Sequence, residues 1–137
     1  MLSSSTLRII DANINRLREG IRVIEDILRY ALNHKEFALK LKNIRHNCKI
    51  SLERELLASR DSTHDVLNIS TPKEMERKNL QNILQANFKR TQESTRTLEE
   101  TLKLLHPQES QKFKAIRYEL YTLEKEIFTL PLESLES

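Results

Sequence analysis

The 137-residue chain has 23 lysines and arginines against 20 aspartates and glutamates, which gives a net charge of +3 and a pI near 9.1. So small an excess, spread among opposed charges, argues against a nucleic-acid-binding protein, since that class usually carries a segregated basic surface. The uncharged runs fall far short of the roughly 20 residues that span a bilayer, and the N-terminus lacks the apolar core of a secretory signal, so we expect a cytoplasmic protein without a membrane segment.

The first half of the chain predicts two helices of an all-α fold in a single domain, residues 1–137. One glycine and three prolines in a chain rich in Leu, Glu, Lys, Arg and Ile favour long helices. The first helix, about 6–32, ends near Asn33 and has an apolar stripe of Ile10, Ile14, Leu17, Ile21, Ile24 and Leu28. The second, about 36–59, has an inner face of Phe37, Leu41, Ile44, Cys48, Leu52 and Leu56. Cys48 is the only cysteine, so an internal disulfide is excluded and we expect it in the core.

The second half predicts two more helices after a connector, residues 60–71. Thr71-Pro72-Lys73-Glu74 has the pattern of a capping box with proline at the first helical position, which predicts a third helix from residue 72 to about Leu105. Pro107 begins a fourth helix, which ends near Pro131. Hairpin one therefore covers about 6–59 and hairpin two about 72–130.

A sequence repeat relates the two hairpins. Residues 12–26, ANINRLREGIRVIED, share six identities with residues 86–100, ANFKRTQESTRTLEE, where average composition predicts roughly one. A weaker echo relates KNIRH at 42–46 to KAIRY at 114–118. Neither hairpin can bury its apolar stripe alone, so we expect four long helices in two repeated hairpins related by a pseudo-two-fold axis.

Polar residues at matching positions are predicted to lie on the inner faces of these helices. Successive steps of 100° place two asparagines and four arginines toward the shared interior: Asn13, Asn87, Arg16, Arg45, Arg90 and Arg117. A buried arginine needs a negatively charged partner. Either glutamates of the same chain such as Glu19, Glu93 or Glu124 are these partners, or the guanidinium groups form an anion pocket for phosphate oxygens.

Gly20, the only glycine, lies on the same face of the first helix. A glycine inside a helix costs about 1 kcal/mol relative to alanine, so it indicates close approach of either a ligand or a neighbouring helix.

The carboxylates allow two interpretations. One set recurs at three- and four-residue spacing, as in an exposed ion-pair ladder: Glu19, Arg22, Glu25, Asp26 and Arg29, with Glu93, Arg96, Glu99, Glu100 and Lys103. Glu19 and Glu93 lie nearest the inner groups and could instead hold Mg²⁺. The connector contains Asp61 and Asp65 near Arg60. These residues either form a loop that binds a nucleotide or a metal ion, or are polar only because the loop is exposed to solvent.

Four stretches resemble a known family: RIIDANINRLREGIRVIED, RDSTHDV, ANFKRTQESTRTLEE and IRYELYTLEK. They are similar to the small helical hydroxymethylpyrimidine-phosphate kinases of bacterial thiamine biosynthesis, found alone or fused to thiamine-phosphate synthase. The resemblance implies ATP-dependent phosphorylation of 4-amino-5-hydroxymethyl-2-methylpyrimidine phosphate to its diphosphate, with ATP and Mg²⁺ as cofactors and a standalone form here. The chain departs from the expected pattern at His64 and Leu67, where we expect glycines, so a backbone phosphate cradle in this loop is in doubt.

That activity requires positioning and charge neutralisation more than a strong base, because the acceptor is already a phosphate. The implied phosphate-binding and catalytic residues are Arg16, Arg45, Arg90 and Arg117. The implied substrate-binding residues are Asn13, Gly20, Asn87, Arg60 and Tyr121, although helix packing also explains the tyrosine. The implied metal ligands are Glu19, Glu93, Asp61 and Asp65.

Two other functions remain open from the sequence. One is a non-catalytic helical adaptor or regulatory module associated with thiamine-phosphate synthase, which would not turn over ATP. The other is an RNA-binding module, which the charge of +3 supports little. The sequence does not tell which half-site would bind the nucleotide, and it leaves open whether the chain forms a homo-oligomer.

Overall fold

A computed structural model describes residues 3–135, and helices dominate that range. Five α-helices follow one another: α1 (Ser4–Asp26), α2 (Lys35–Asn47), α3 (Glu53–Ser59), α4 (Leu80–Leu102) and α5 (Pro107–Ile127). A π-helical turn (Ile27–Ala31) continues α1, and a 3₁₀ turn (Glu133–Leu135) closes the described range. Between residues 3 and 135 there is no β-strand, so the predicted all-α class is confirmed.

Helices α1 and α4 form the central pair and pack against each other more extensively than any other two described elements. Helices α2 and α3 pack on α1, α5 packs on α4, and α2 and α5 touch only slightly. The fully buried apolar side chains of the central pair are Ile10, Leu17, Ile21 and Ile24 of α1 with Leu84, Phe88, Leu98 and Leu102 of α4. The apolar stripe predicted for the first helix therefore lies in the core, against the helix of the second hairpin.

The second predicted helix is interrupted, which corrects the predicted range 36–59. The chain leaves the helix after Asn47, and α3 begins only at Glu53. Cys48 and Ile50 are both buried in the intervening segment. In a continuous helix, side chains two positions apart point in directions about 200° apart, so Cys48 and Ile50 could not both face the core. Both are buried because the chain is not helical between them. Cys48 lies in the core as predicted, where burial raises the pKa of its thiol to about 12.

The third predicted helix begins later than the capping box suggested. The hydroxyl of Thr71 does accept a hydrogen bond from the Glu74 amide at 3.2 Å, but no helix follows. Residues 71–78 are all exposed, so a helix there would have no apolar face to bury. The true cap is Asn79, whose side chain accepts from the Asn82 amide at 2.8 Å. The irregular connector therefore covers residues 60–79.

The ends of the other two predicted helices agree with the structure. The π-helical turn ends where Asn33 adopts a left-handed backbone, with φ of 51°, as expected of a helix stop. Helix α5 begins at Pro107, the position that proline favours.

Across residues 3–135, none of the helices is both long and apolar enough to cross a lipid bilayer.

Candidate functional site

A groove of about 620 Å³ runs along the contact between α1 and α4. Five residues of α1 and five of α4 line it: Asn13, Arg16, Glu19, Gly20 and Val23, with Asn87, Arg90, Glu93, Ser94 and Thr97. Every α4 residue of this set stands 74 positions after one α1 residue of the set. We call this pocket the α1/α4 groove, and its lining reproduces the sequence repeat position by position.

The two asparagines make the same local contact in both helices. The side-chain amide of Asn13 donates to the carbonyl of Ile9 at 2.8 Å, and that of Asn87 donates to the carbonyl of Ile83 at 2.9 Å. In each case the side-chain NH₂ group bonds to a carbonyl one turn earlier in the same helix, which leaves the side-chain oxygen able to accept a hydrogen bond. Asn13 is buried and Asn87 is half-buried.

Gly20 lies where α1 packs tightly against α4. A Cβ atom at this position would lie 2.7 Å from the Cγ2 atom of Thr91, a fully buried residue, and 3.8 Å from the Oδ1 atom of Asn87. The glycine is therefore required for close helix packing, one of the two explanations that its position in the sequence allowed. It also contributes to the wall of the groove.

Arg16 and Arg90 present unpaired guanidinium groups to the groove. Both side chains are exposed, and neither makes a hydrogen bond or ion pair with another residue of the range 3–135. Glu19 and Glu93, one turn further along each helix, are also exposed and unpaired within that range. The groove thus offers both guanidinium cations and hydrogen-bond acceptors.

Arg45 and Arg117 do not line the α1/α4 groove, so the prediction that four arginines converge on one pocket is wrong. The Nε atom of Arg45 donates to Glu25 at 2.8 Å, and Arg117 donates to Glu99 through two nitrogens. Both glutamates are only 2% exposed. The charges of Arg45 and Arg117 are therefore neutralised within the chain, but by glutamates other than those considered from the sequence.

The same two pairs correct part of the predicted surface ladder. Glu25 and Glu99 lie under α2 and α5 rather than in solvent, because the helix that packs on each face brings an arginine to them. The other members of the ladder are exposed as predicted, except for the half-buried Asp26, which pairs with Arg22 at 3.4 Å.

Tyr121 lies outside the groove, so the structure does not place it for stacking on a ligand there. Its hydroxyl accepts from Arg117 at 3.4 Å, and its ring packs edge-on against Tyr118. Hydrogen bonds to Glu99 and to Tyr121 raise the pKa of Arg117, which keeps the guanidinium charged.

The connector folds back on the first half of α1. Arg60 donates two hydrogen bonds of 2.8 Å to the carboxylate of Asp11, which is 6% exposed. Arg8 donates to the backbone carbonyl of Asp61 at 2.8 Å. The hydrogen bond from the His64 ring lowers the pKa of Asp61. The connector is therefore anchored at its first residues, and Arg60 is held by α1 rather than left free for a ligand.

The four predicted metal ligands are divided between two places. Glu19 and Glu93 line the α1/α4 groove, while Asp61 and Asp65 lie in the connector. Over residues 3–135 no three or more His, Cys, Asp or Glu side chains are grouped so that they could hold a metal ion. Mg²⁺ commonly takes one or two carboxylates plus phosphate oxygens, so it would need a bound ligand to complete its shell here. ATP and Mg²⁺ stay predictions.

Comparison with protein families matches residues 8–126 to the ThiD2 family. This chain belongs to the ThiD2 family. Its relatives include proteins named thiamine-phosphate synthase from Nostoc punctiforme, 41% identical over 121 residues, and from Thermosynechococcus vestitus, 38% identical over 128 residues. The alignments cover 88% and 93% of this ThiD2 chain. They cover 34% and 36% of those relatives, so the chain spans about a third of their length. No solved structure matches it.

These comparisons correct the function expected from the resemblance. The relatives of this ThiD2 chain are named thiamine-phosphate synthase and not hydroxymethylpyrimidine-phosphate kinase, so the interpretation of the chain as that kinase is contradicted. The link to thiamine biosynthesis stands. The other interpretation, a helical module associated with thiamine-phosphate synthase, agrees better with these names.

Proposed function

We propose that the chain is a non-catalytic helical module that acts with thiamine-phosphate synthase and binds a small phosphorylated ligand in the α1/α4 groove. The family match and the relatives' names support the association, since a segment like this chain forms about a third of each of those longer proteins. The observation that carries the ligand site is the pair of unpaired arginines, Arg16 and Arg90, at equivalent positions of one groove.

The chemistry of the groove favours a phosphorylated aminopyrimidine. Guanidinium groups bind phosphate oxygens with two parallel hydrogen bonds, which suits Arg16 and Arg90. An exocyclic amino group donates hydrogen bonds, and the carboxylates of Glu19 and Glu93 and the amide oxygen of Asn13 are acceptors. Because the groove contains both charge signs, a ligand with a phosphate and an amine matches it better than a bare polyanion. A nucleotide, with the same two kinds of group, is the second ligand to test.

The groove also supports the proposed arrangement of two hairpins about a pseudo-two-fold axis. Such an axis would pass between α1 and α4 and would exchange Arg16 with Arg90. It would also exchange the Glu25–Arg45 pair with the Glu99–Arg117 pair.

Ligand binding is tested by titrating ¹⁵N-labelled protein with 4-amino-5-hydroxymethyl-2-methylpyrimidine phosphate. We expect shifts at amides 13–23 and 87–97, and a loss of affinity of about tenfold or more in Arg16→Ala and in Arg90→Ala, since a charged hydrogen bond contributes about 1.5–3 kcal/mol. Arg18→Ala is the matched control, because Arg18 is an exposed arginine of α1 outside the groove. Equal affinity in all three variants would contradict the site.

The association is tested with a chimera of the Nostoc punctiforme relative. The segment that matches this chain is replaced by the chain itself, and formation of thiamine phosphate is compared with that of the intact relative and of the relative lacking the segment. We expect the chimera to restore what the deletion removes. Release of ADP when the isolated chain receives Mg²⁺-ATP and the pyrimidine phosphate, abolished by Arg16→Ala, would overturn the non-catalytic proposal.

A further inference from the structure

A second pocket, of about 600 Å³, lies between the first half of α1 and residues 60–65 of the connector. We call it the connector cleft. It shares two lining residues, Asn13 and Arg16, with the α1/α4 groove, so the two pockets adjoin at these side chains. One guanidinium group, that of Arg16, is therefore within reach of a ligand in either pocket.

Among residues 3–135, α4 lacks the contact that holds the connector against α1. The residue that matches Asp11 in the second hairpin is Gln85, which is exposed and whose side chain makes no hydrogen bond within that range. On α1, by contrast, Asp11 holds Arg60 by two hydrogen bonds of 2.8 Å, and Arg8 holds the carbonyl of Asp61. The connector thus supplies a wall to the Arg16 half of the site and not to the Arg90 half, over the residues that the structure describes.

The surface of the cleft differs from that of the groove. Ile9, which is 46% exposed, and Ala12 provide an apolar strip along α1. The facing edge of the connector provides Ser62 and Asp65, whose side chains can hydrogen-bond to a ligand. The apolar strip gives a small ring a face to lie on, and the polar side chains that make up the rest of the lining can hydrogen-bond to its substituents.

We infer that the ligand extends from the groove into the connector cleft, with its phosphate on Arg16 and Arg90 and its ring between α1 and the connector. This inference rests on the proposed function and adds the direction and the selectivity of binding. The asparagines, arginines and glutamates of the groove are matched in its two halves, so these polar groups alone give a ligand no preferred direction. The connector cleft adjoins the groove at Arg16 and therefore gives the ligand a preferred direction. It also makes the site selective for an organic phosphate, which fills both pockets, over inorganic phosphate, which contacts only the arginines.

The test compares affinities for inorganic phosphate and for the aminopyrimidine phosphate. Ser62→Trp fills the cleft, and Asp11→Asn with Arg60→Ala releases the connector without leaving a buried charge unpaired. We expect both to weaken binding of the aminopyrimidine phosphate about tenfold while changing that of inorganic phosphate less than about twofold. Ser70→Trp, at an exposed connector serine outside the cleft, is the matched control and should change neither affinity.

The outcomes separate this inference from the proposed function. Unchanged affinity for the aminopyrimidine phosphate in both cleft variants overturns the inference, as does an equal loss for both probes. If neither probe depends on Arg16 and Arg90, the proposed function fails instead. Circular dichroism and thermal unfolding of each variant show whether it folds, and the two cleft variants act by different means, so one can be judged if the other unfolds.

Discussion

The arginines of the α1/α4 groove and those of the buried ion pairs occupy matching positions in the two hairpins, yet their surroundings differ. Arg45 and Arg117 are 13% exposed and are answered by Glu25 and Glu99 of the same chain. Arg16 and Arg90 are exposed and have no partner between residues 3 and 135. A repeated arginine alone therefore does not indicate a ligand site. What separates the two classes is whether the chain itself supplies the opposite charge.

The largest expected effect is on stability, from removing one member of a buried pair. Arg45→Ala leaves the carboxylate of Glu25 buried without another ion-pair partner among residues 3–135, and we expect a loss of about 3 kcal/mol in the free energy of unfolding. Arg117→Ala should cost less, because Arg96 still lies 3.6 Å from Glu99. Urea unfolding followed by circular dichroism measures both.

Two controls sharpen this result. Glu25→Gln added to Arg45→Ala removes the unpaired charge and should recover part of the loss. Arg16→Ala should change stability by less than about 0.5 kcal/mol, since Arg16 is exposed and unpaired. A loss in Arg16→Ala as large as that in Arg45→Ala would remove the distinction between the two classes of arginine.

The next largest effect is on stability and concerns the tight packing of α1 against α4 at Gly20. Gly20→Ala gains about 1 kcal/mol of helix propensity, but its Cβ would meet the Cγ2 atom of the fully buried Thr91 at 2.7 Å. Overpacking of this kind costs about 1–3 kcal/mol, so we expect net destabilisation of about 1 kcal/mol. Thermal or urea unfolding is the measurement.

A double-mutant cycle identifies the atom responsible. Thr91→Ser deletes the Cγ2 atom and keeps the hydroxyl that donates to the Phe88 carbonyl at 2.8 Å. In that background Gly20→Ala should become neutral or stabilising. If it destabilises the serine variant as much as the wild type, the clash with Thr91 is not the cause.

The smallest effect lies at the exposed contact between His64 and Asp61 in the connector. The hydrogen bond from His64 lowers the pKa of Asp61 from its ordinary value of 3.8. The contribution of this contact is therefore present above that value and is lost as the pH falls through the lowered pKa. A carboxyl ¹³C titration should place the midpoint of Asp61 below 3.8, and His64→Ala should move it back up. A midpoint unaffected by His64→Ala would contradict the contact.

Much of the fold follows from the sequence because long amphipathic helices have a strong periodicity. The first helix, its stop at Asn33 and the fourth helix at Pro107 were predicted correctly. The break at Cys48 and the late start at Leu80 were not, because helical periodicity is local and does not show where tertiary burial overrides it. The capping box at Thr71 forms its hydrogen bond but has no apolar face behind it.

The site was predicted in part. Asn13, Arg16 and Gly20 and their counterparts line one groove, as the repeat indicated, but Arg16 and Arg90 are exposed there and not directed into the interior as the angular positions predicted. The partners of Arg45 and Arg117 were missed, since one helix in isolation shows Glu25 and Glu99 at an edge and not which neighbour covers them. A signal was present: Glu25 and Glu99 are among the six identities of the repeat. An exposed ladder alone does not require identity at these positions.

The π-helical turn at the end of α1 bears on how two matching helical hairpins can differ in length. Glu25 and Arg45 are separated by 20 residues, whereas Glu99 and Arg117 are separated by 18. Hydrogen bonds that reach one residue further, such as that from the Leu32 amide to the Ile27 carbonyl, accommodate one of these two additional residues without ending the helix. A chain can thus absorb an insertion between two helices while the charged residues on either side still meet.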